Sequence, residues 1–230
     1  MMLRGLIISI IIAVTHLSFA QRVRALRVNK DYEKYRISEH FDYLHDDFDS
    51  AKTTWVGDIR VEFDSIFPGT IKNCFNALKD RATKLGANGF KVTEADISSY
   101  GDNKYIEMSL YWIRMENRDE NLVLHKSRDV YLFGFLGYHQ EIDGYDVSIQ
   151  NDEFVMPSLS FKKYAFKSKT DVTVGLGSKM RGAKTSFRIE EKMYPKFIYF
   201  KMISGSFKNA WIDEYPLSFG LFLTHILRKN

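Results

Sequence analysis

Apolar and polar residues follow two rhythms in the first half of the chain. Ile59, Val61 and Phe63 alternate with Asp58, Arg60 and Glu62, the two-residue period of a half-buried strand, and Trp55-Val56-Gly57 leads into it. After Pro68-Gly69 the period lengthens. Ile71, Cys74, Phe75, Leu78, Ala82 and Leu85 recur at helical spacing, with Lys72, Asn73, Asn76, Lys79, Asp80 and Lys84 on the other side. A stripe of that width covers something flat, so the helix is expected to pack on a sheet. Gly86 stops it, at a position that favours a left-handed residue. Ala87-Asn88-Gly89 turns the chain into a second strand, Phe90 to Ile97. Gly101-Asp102-Asn103-Lys104 is a further turn. In a third strand Ile106, Met108, Leu110 and Trp112 share one face, and Glu107, Ser109 and Tyr111 the other.

Residues 116–128 are polar and dense in charge, beginning Glu116-Asn117-Arg118-Asp119-Glu120-Asn121, and read as a linker. Beyond them the pattern becomes short strands and turns. Val130 to Phe135 is a continuous apolar run, Asp143-Gly144 a hairpin-type pair, and Tyr145, Val147 and Ile149 alternate. Further alternations fall at Val172, Val174 and Leu176 and at Phe187 and Ile189, and the runs Lys196 to Ile203 and Trp211-Ile212 follow. Strands at this spacing suggest a sandwich. The tail 217–227 is apolar and fits either a strand or a short helix. The expected fold class is therefore α+β. A domain over 21–115, a small sheet with one packed helix, is followed by the linker at 116–128 and a β-sandwich-like domain over 129–230.

The start of the chain has its own pattern. Arg4 precedes the apolar run Leu6 to Val14, and Ser18-Phe19-Ala20 places small residues three and one before Gln21. That is the layout of a secretory signal cleaved after Ala20, and the run is about half the roughly 20 residues a bilayer span needs. The expected product is secreted or periplasmic and does not span a membrane. Gln21 stands where a bacterial lipid anchor needs cysteine. Composition is ordinary for a globular protein, at 45% hydrophobic and 27% charged, and the single cysteine excludes an internal disulfide. Cys74 falls on the apolar face of the helix, so core packing is set against a reactive thiol.

The segments Ala77-Leu78-Lys79 and Ala82-Thr83-Lys84-Leu85-Gly86-Ala87-Asn88-Gly89-Phe90-Lys91-Val92 resemble those of small bacterial envelope and stress-associated α/β domains. These include the Rcs stress-sensor outer-membrane lipoprotein and the pentameric heavy-metal-binding-like family, in which a helix ends in such a turn and enters a strand. The sensor's disulfides cannot form with one cysteine, and no metal ligands of the pentameric family match, so neither activity carries over. In the second half, Val130-Tyr131-Leu132-Phe133, Gly144 to Ile149, and Phe187-Arg188-Ile189-Glu190 before Tyr194 to Lys201 resemble β-sandwich accessory domains of uncharacterised bacterial envelope proteins. That resemblance implies a structural or binding role.

Charge adds a candidate surface. Residues 151–210 hold twelve Lys and Arg against five Asp and Glu, although the whole chain carries only +4. The densest stretch places Lys162, Lys163, Lys167 and Lys169 among Phe161, Tyr164 and Phe166. Such a stretch in an exported protein suits an anionic envelope component, namely lipid, lipopolysaccharide or polysaccharide, more than nucleic acid. The structural alternative is a strand with Tyr164 and Phe166 packed inward and solvated lysines.

The search for catalytic patterns returns little. Gly175-Leu176-Gly177-Ser178-Lys179 lacks the spacing of a phosphate loop, and no Gly-x-Ser-x-Gly elbow, His-Glu-x-x-His helix or dinucleotide fingerprint occurs. No cofactor is expected. His40-Phe41-Asp42-Tyr43-Leu44-His45-Asp46-Asp47-Phe48-Asp49 holds metal-competent side chains. As a strand it would put His40 and Asp42 on one face and His45, Asp47 and Asp49 on the other, and an acidic strand end is the plainer reading. Asp213 and Glu214 are adjacent, so on a strand they point apart and cannot form a glycosidase pair. The leading expectation is a non-enzymatic binding or scaffolding module of the envelope, partnered by an anionic component or another envelope protein. The rival is a hydrolase using distant residues such as His125, His139, Asp213 or Glu214.

Overall fold

The computed structural model describes residues 22–33, 38–67, 69–97, 103–137, 144–177, 182–203 and 206–230. Residues 1–20, expected to form a leader, lie outside these residues, as do Pro68, Gly101-Asp102, His139, Asp143 and Ser178-Lys179. The fold is α+β, with three sheets and three helices among the described residues.

Sheet I orders its strands β1-β3-β5-β4-β2. These are β1 (Arg22–Val28), β2 (Asp42–Tyr43), β3 (Thr53–Phe63), β4 (Gly89–Asp96) and β5 (Lys104–Ile113). Helix α1 (Thr70–Leu85) follows β3. Its expected stripe is buried, with Ile71, Cys74, Leu78 and Ala82 fully covered against Ile59, Val61, Ile106 and Met108. Gly86 takes φ +86°, which only glycine adopts without strain, and its N–H caps the Thr83 carbonyl. Asn88 then does the work of a strand partner. Its side chain donates to the Ile113 carbonyl at 2.8 Å and accepts from the Ile113 N–H at 2.7 Å, which fixes the entry of β4.

The stretch 116–128, expected to be a linker, instead carries helix α2 (Met115–Leu124). A hydrophobic pattern cannot show it, because its inward stripe is polar: Arg118, Asn121 and His125 all turn toward β2. Arg118 pairs with Asp42, and Asn121 donates to the Tyr43 carbonyl at 3.0 Å and accepts from the His45 N–H at 2.9 Å. The helix thus occupies the edge of sheet I that β2 would leave open.

Sheet II orders its strands β13-β12-β6-β9-β14. These are β6 (Asp129–Phe133), β9 (Ser160–Ala165), β12 (Lys196–Ile203), β13 (Ser206–Glu214) and β14 (Arg228–Lys229). Sheet III runs β11-β10-β7-β8, from β7 (Tyr145–Ile149), β8 (Asp152–Met156), β10 (Thr170–Leu176) and β11 (Ala183–Ile189). Val130, Leu132, Ile198 and Phe200 of sheet II face Val147, Val172 and Val174 of sheet III, forming the sandwich core. The alternate residues Phe133, Phe161 and Phe197 face the other way. Sheet II is therefore buried on both faces, which is why 130–135 reads as one apolar run.

The tail settles as helix α3 (Leu217–Ile226), lying between sheet I and sheet II. Phe219 and Phe222 pack at a tilt against Phe75 of α1, with ring centroids 5.0 and 4.9 Å away. One apolar core thus runs through Ile59 and Phe90 of the first half and Phe133, Phe197 and Phe222 of the second. Each such aromatic contributes about 1.5–3 kcal/mol by leaving water. Cys74 lies in this core, where burial pushes its thiol up to about 12, so packing is its role in the fold. Among the described residues no helix is long and apolar enough to cross a membrane.

Candidate functional site

Three histidines meet where β2, α2 and α3 come together. His45 follows β2, His125 caps the C-terminal end of α2, and His225 lies in the last turn of α3. They line one cleft of about 250 Å³ with Tyr43, Asp129 and Lys163. Leu124, Pro195 and Leu221 supply apolar lining, and Tyr131 an aromatic one.

The hydrogen bonds fix how each ring presents itself. His125 is buried, and its Nε2 lies 2.9 Å from the Tyr43 carbonyl oxygen, which only accepts, so Nε2 carries the hydrogen. His225 donates from Nδ1 to the Leu221 carbonyl at 2.8 Å, and its Nε2 accepts the Tyr43 hydroxyl at 2.9 Å. His45 accepts the Asp47 N–H at Nδ1, 3.1 Å away. The rings of His45 and His125 are near-perpendicular, with centroids 5.0 Å apart.

Burial sets the proton affinities. It holds the His125 imidazole below the ordinary histidine range, with the His45 ring adding to the effect against its backbone hydrogen bond and nearby carboxylates. Burial also lifts the Tyr43 hydroxyl well above the ordinary tyrosine value, with help from the Asp46 carboxylate, so this phenol stays a donor. Asp46 is lowered by its hydrogen bond from Lys91, 3.1 Å away. Lys163 is raised by its contact with Asp129 at 2.8 Å and sits 5.5 Å from the Tyr131 ring centre.

The four lysines singled out in the sequence do not share a face. Strand alternation sends Lys162 toward Asp152, 3.1 Å away, and over the Phe154 ring at 3.9 Å. Lys163 points into the cleft. Lys169 reaches Glu190 at 3.3 Å, and the Lys167 carbonyl accepts from Arg128. Of the residues proposed for a hydrolase, His125 lies in the cleft, whereas Asp213 and Glu214 are on edge strand β13. There Asp213 accepts from Tyr199 at 2.9 Å and Glu214 pairs with Lys196 at 2.8 Å. The segment 40–49 is strand only at Asp42–Tyr43, and His45 alone of its two histidines lines the cleft. Among the described residues no three His, Cys, Asp or Glu side chains are arranged to hold a metal ion.

Sequence reasoning named His45, His125 and Lys163 separately but missed His225 and Tyr43 as partners. The spacings, 80 and 100 residues between successive histidines, carry no periodic signal. Only the packing of α3 against β2 and β4 brings them together. No protein-family model, curated protein or solved structure matches the chain.

Proposed function

We propose that this is an exported, non-enzymatic binding module of a bacterial cell envelope, and that its ligand sits in the three-histidine cleft. The observation that carries the reading is the convergence of His45, His125 and His225 on one cavity, with the paired Asp129 and Lys163 beside them. The leader pattern at residues 1–20 and the resemblance of both halves to envelope domains support export. The hydrogen bonds support binding over catalysis: Tyr43 is held protonated, His225 has both nitrogens engaged, and Asp129 is neutralised by Lys163. The Tyr43 hydroxyl donates to His225 and the Thr224 hydroxyl to the Leu221 carbonyl, so neither is held by a carboxylate–imidazole pair of the kind that activates a nucleophile. An envelope component is the expected source of the ligand.

Two measurements test the reading. Cell fractionation should find the chain outside the cytoplasm, trimmed before Gln21, and an intact leader in the cytosolic fraction would overturn the export half. A fragment library screened by NMR against the full chain should shift the ring resonances of His45 and His125. Hits that consistently map elsewhere would overturn the site.

A further inference from the structure

Two other features compete with the cleft for a role. A larger groove of about 730 Å³ crosses the outer face of sheet III past Ser148, Thr173 and Lys184, and its lining mixes charges of both signs without selecting a ligand. The outer face of sheet I carries Arg60, Glu107, Tyr105 and Asp58, and each is already engaged by a neighbour. The cleft differs, because among the described residues His45 Nε2 and His125 Nδ1 make no hydrogen bond.

We infer that the cleft takes a small planar ligand through an edge that places a hydrogen-bond acceptor beside a donor, as a carboxamide, lactam or imide does. The inference rests on the reading of this cleft as the ligand site. It follows from the hydrogen positions. His45 accepts the Asp47 N–H at Nδ1, so its own hydrogen sits on Nε2. His125 spends its hydrogen on the Tyr43 carbonyl, which leaves Nδ1 as a bare lone pair. His225 has both nitrogens committed and contributes neither. With both rings uncharged, the cleft offers one imidazole donor and one imidazole acceptor on rings 5.0 Å apart. An amide edge answers both, its carbonyl accepting from His45 and its N–H donating to His125. A carboxylate answers only one and sets its second oxygen against the His125 lone pair.

Charge and size agree with that choice. Asp129 is paired with Lys163 and Asp46 with Lys91, so no uncompensated charge draws an ion. Leu124, Leu221 and the Tyr131 ring give a flat body apolar surface. At about 250 Å³ the cavity lies below the range of drug-sized pockets, so the ligand is small.

The test uses benzamide and benzoate, which share shape and differ in this edge, titrated against the full chain at pH 8 by NMR. Benzamide should shift the His45 and His125 ring signals and bind at least tenfold more tightly than benzoate. His45→Leu should weaken benzamide about tenfold, whereas His45→Gln, which keeps an N–H donor, should hold it within about threefold. Equal binding of the two probes, or tighter benzoate, overturns the amide inference while the cleft survives as a ligand site. If neither probe nor any neutral or charged fragment shifts those rings, both the inference and the site reading fail. The wild-type comparison decides the matter even should His45→Leu not fold.

Discussion

Tyr43 and His225, 182 residues apart, stack with ring centroids 4.6 Å apart and an angle of 26°, and the Tyr43 hydroxyl donates to His225 Nε2 at 2.9 Å. The pair ties the edge strand of sheet I to the last helix of the chain. Tyr43→Phe keeps the stack and removes the donor. His225 is exposed, so its Nε2 can turn to water, and the expected loss is about 0.5–1 kcal/mol. Calorimetry should show Tm lower by roughly 1–4 °C. Tyr43→Ala also loses a buried ring and should cost about 3 kcal/mol or more. Equal melting of the two variants would mean that the stack contributes nothing.

Acid should loosen the same seam. His125 faces Asp42 with its partner Arg118, His45 and Asp46 from the β2 side, and the Asp129–Lys163 pair lies across the cleft. Its proton affinity is lowered in the folded state, so the unfolded chain binds the proton first. Stability is therefore fully present above the unfolded histidine value of about 6.5 and declines as pH falls through it, levelling off once the folded imidazole also protonates. Asp46 acts in a lower window, because its depressed value favours the fold above about pH 4 and the benefit disappears below that. Urea midpoints should hold between pH 8 and 7 and drop between pH 6.5 and 5. His125→Gln, which can still donate to the Tyr43 carbonyl, should flatten that drop. Parallel curves for the two proteins would remove His125 as the cause.

The sequence revealed most where apolar residues carry the structure. The stripe Ile71, Cys74, Phe75, Leu78 and Ala82 predicted α1, and Gly86 its end, because helical spacing and a left-handed stop are local properties. Helix α2 was hidden because Arg118, Asn121 and His125 form its inward face, so charge density read as linker. Val130 to Phe135 reads as one apolar strand but gives no sign that its two faces serve different cores. The opposite facing of Lys162 and Lys163 follows from the strand period, which the alternative with Tyr164 and Phe166 packed inward already contains. The histidine cleft was beyond reach, since it exists only where α3 docks.

Gly220 marks that docking. A Cβ built there would lie 2.1 Å from Cγ of Phe197, so α3 approaches β12 more closely than any side chain permits. Nothing in Ser218-Phe219-Gly220-Leu221-Phe222 announces this, because a glycine within a helix otherwise only weakens it. Gly220→Ala should gain helix propensity and still destabilise the protein by about 2–3 kcal/mol through overpacking. Phe197→Leu in the Gly220→Ala background should recover part of the loss, measured by urea denaturation. A stabilised Gly220→Ala protein would show that the helix shifts freely on sheet II.

The lysines separate by what they touch. Lys163 neutralises Asp129, whose carboxylate is only 16% exposed, whereas Lys162 and Lys169 pair with acids about half exposed to solvent. Exposed pairs contribute little, and removing one partner of a half-buried pair leaves a charge poorly solvated. Changing Lys162, Lys167 and Lys169 to Gln should therefore leave Tm within about 1 °C, and adding Lys163→Gln should lower it by roughly 2–4 °C. An anionic bilayer gains about 1 kcal/mol from each unpaired lysine at its surface, within a Debye length of about 8 Å at physiological salt. With Lys162, Lys163 and Lys169 already facing carboxylates and two of the four on opposite faces, binding to vesicles rich in phosphatidylglycerol should be faint at low salt and absent at 0.15 M. Cosedimentation that persists at 0.15 M in the wild type and disappears in the triple variant would instead establish the lysine stretch as a membrane-binding face.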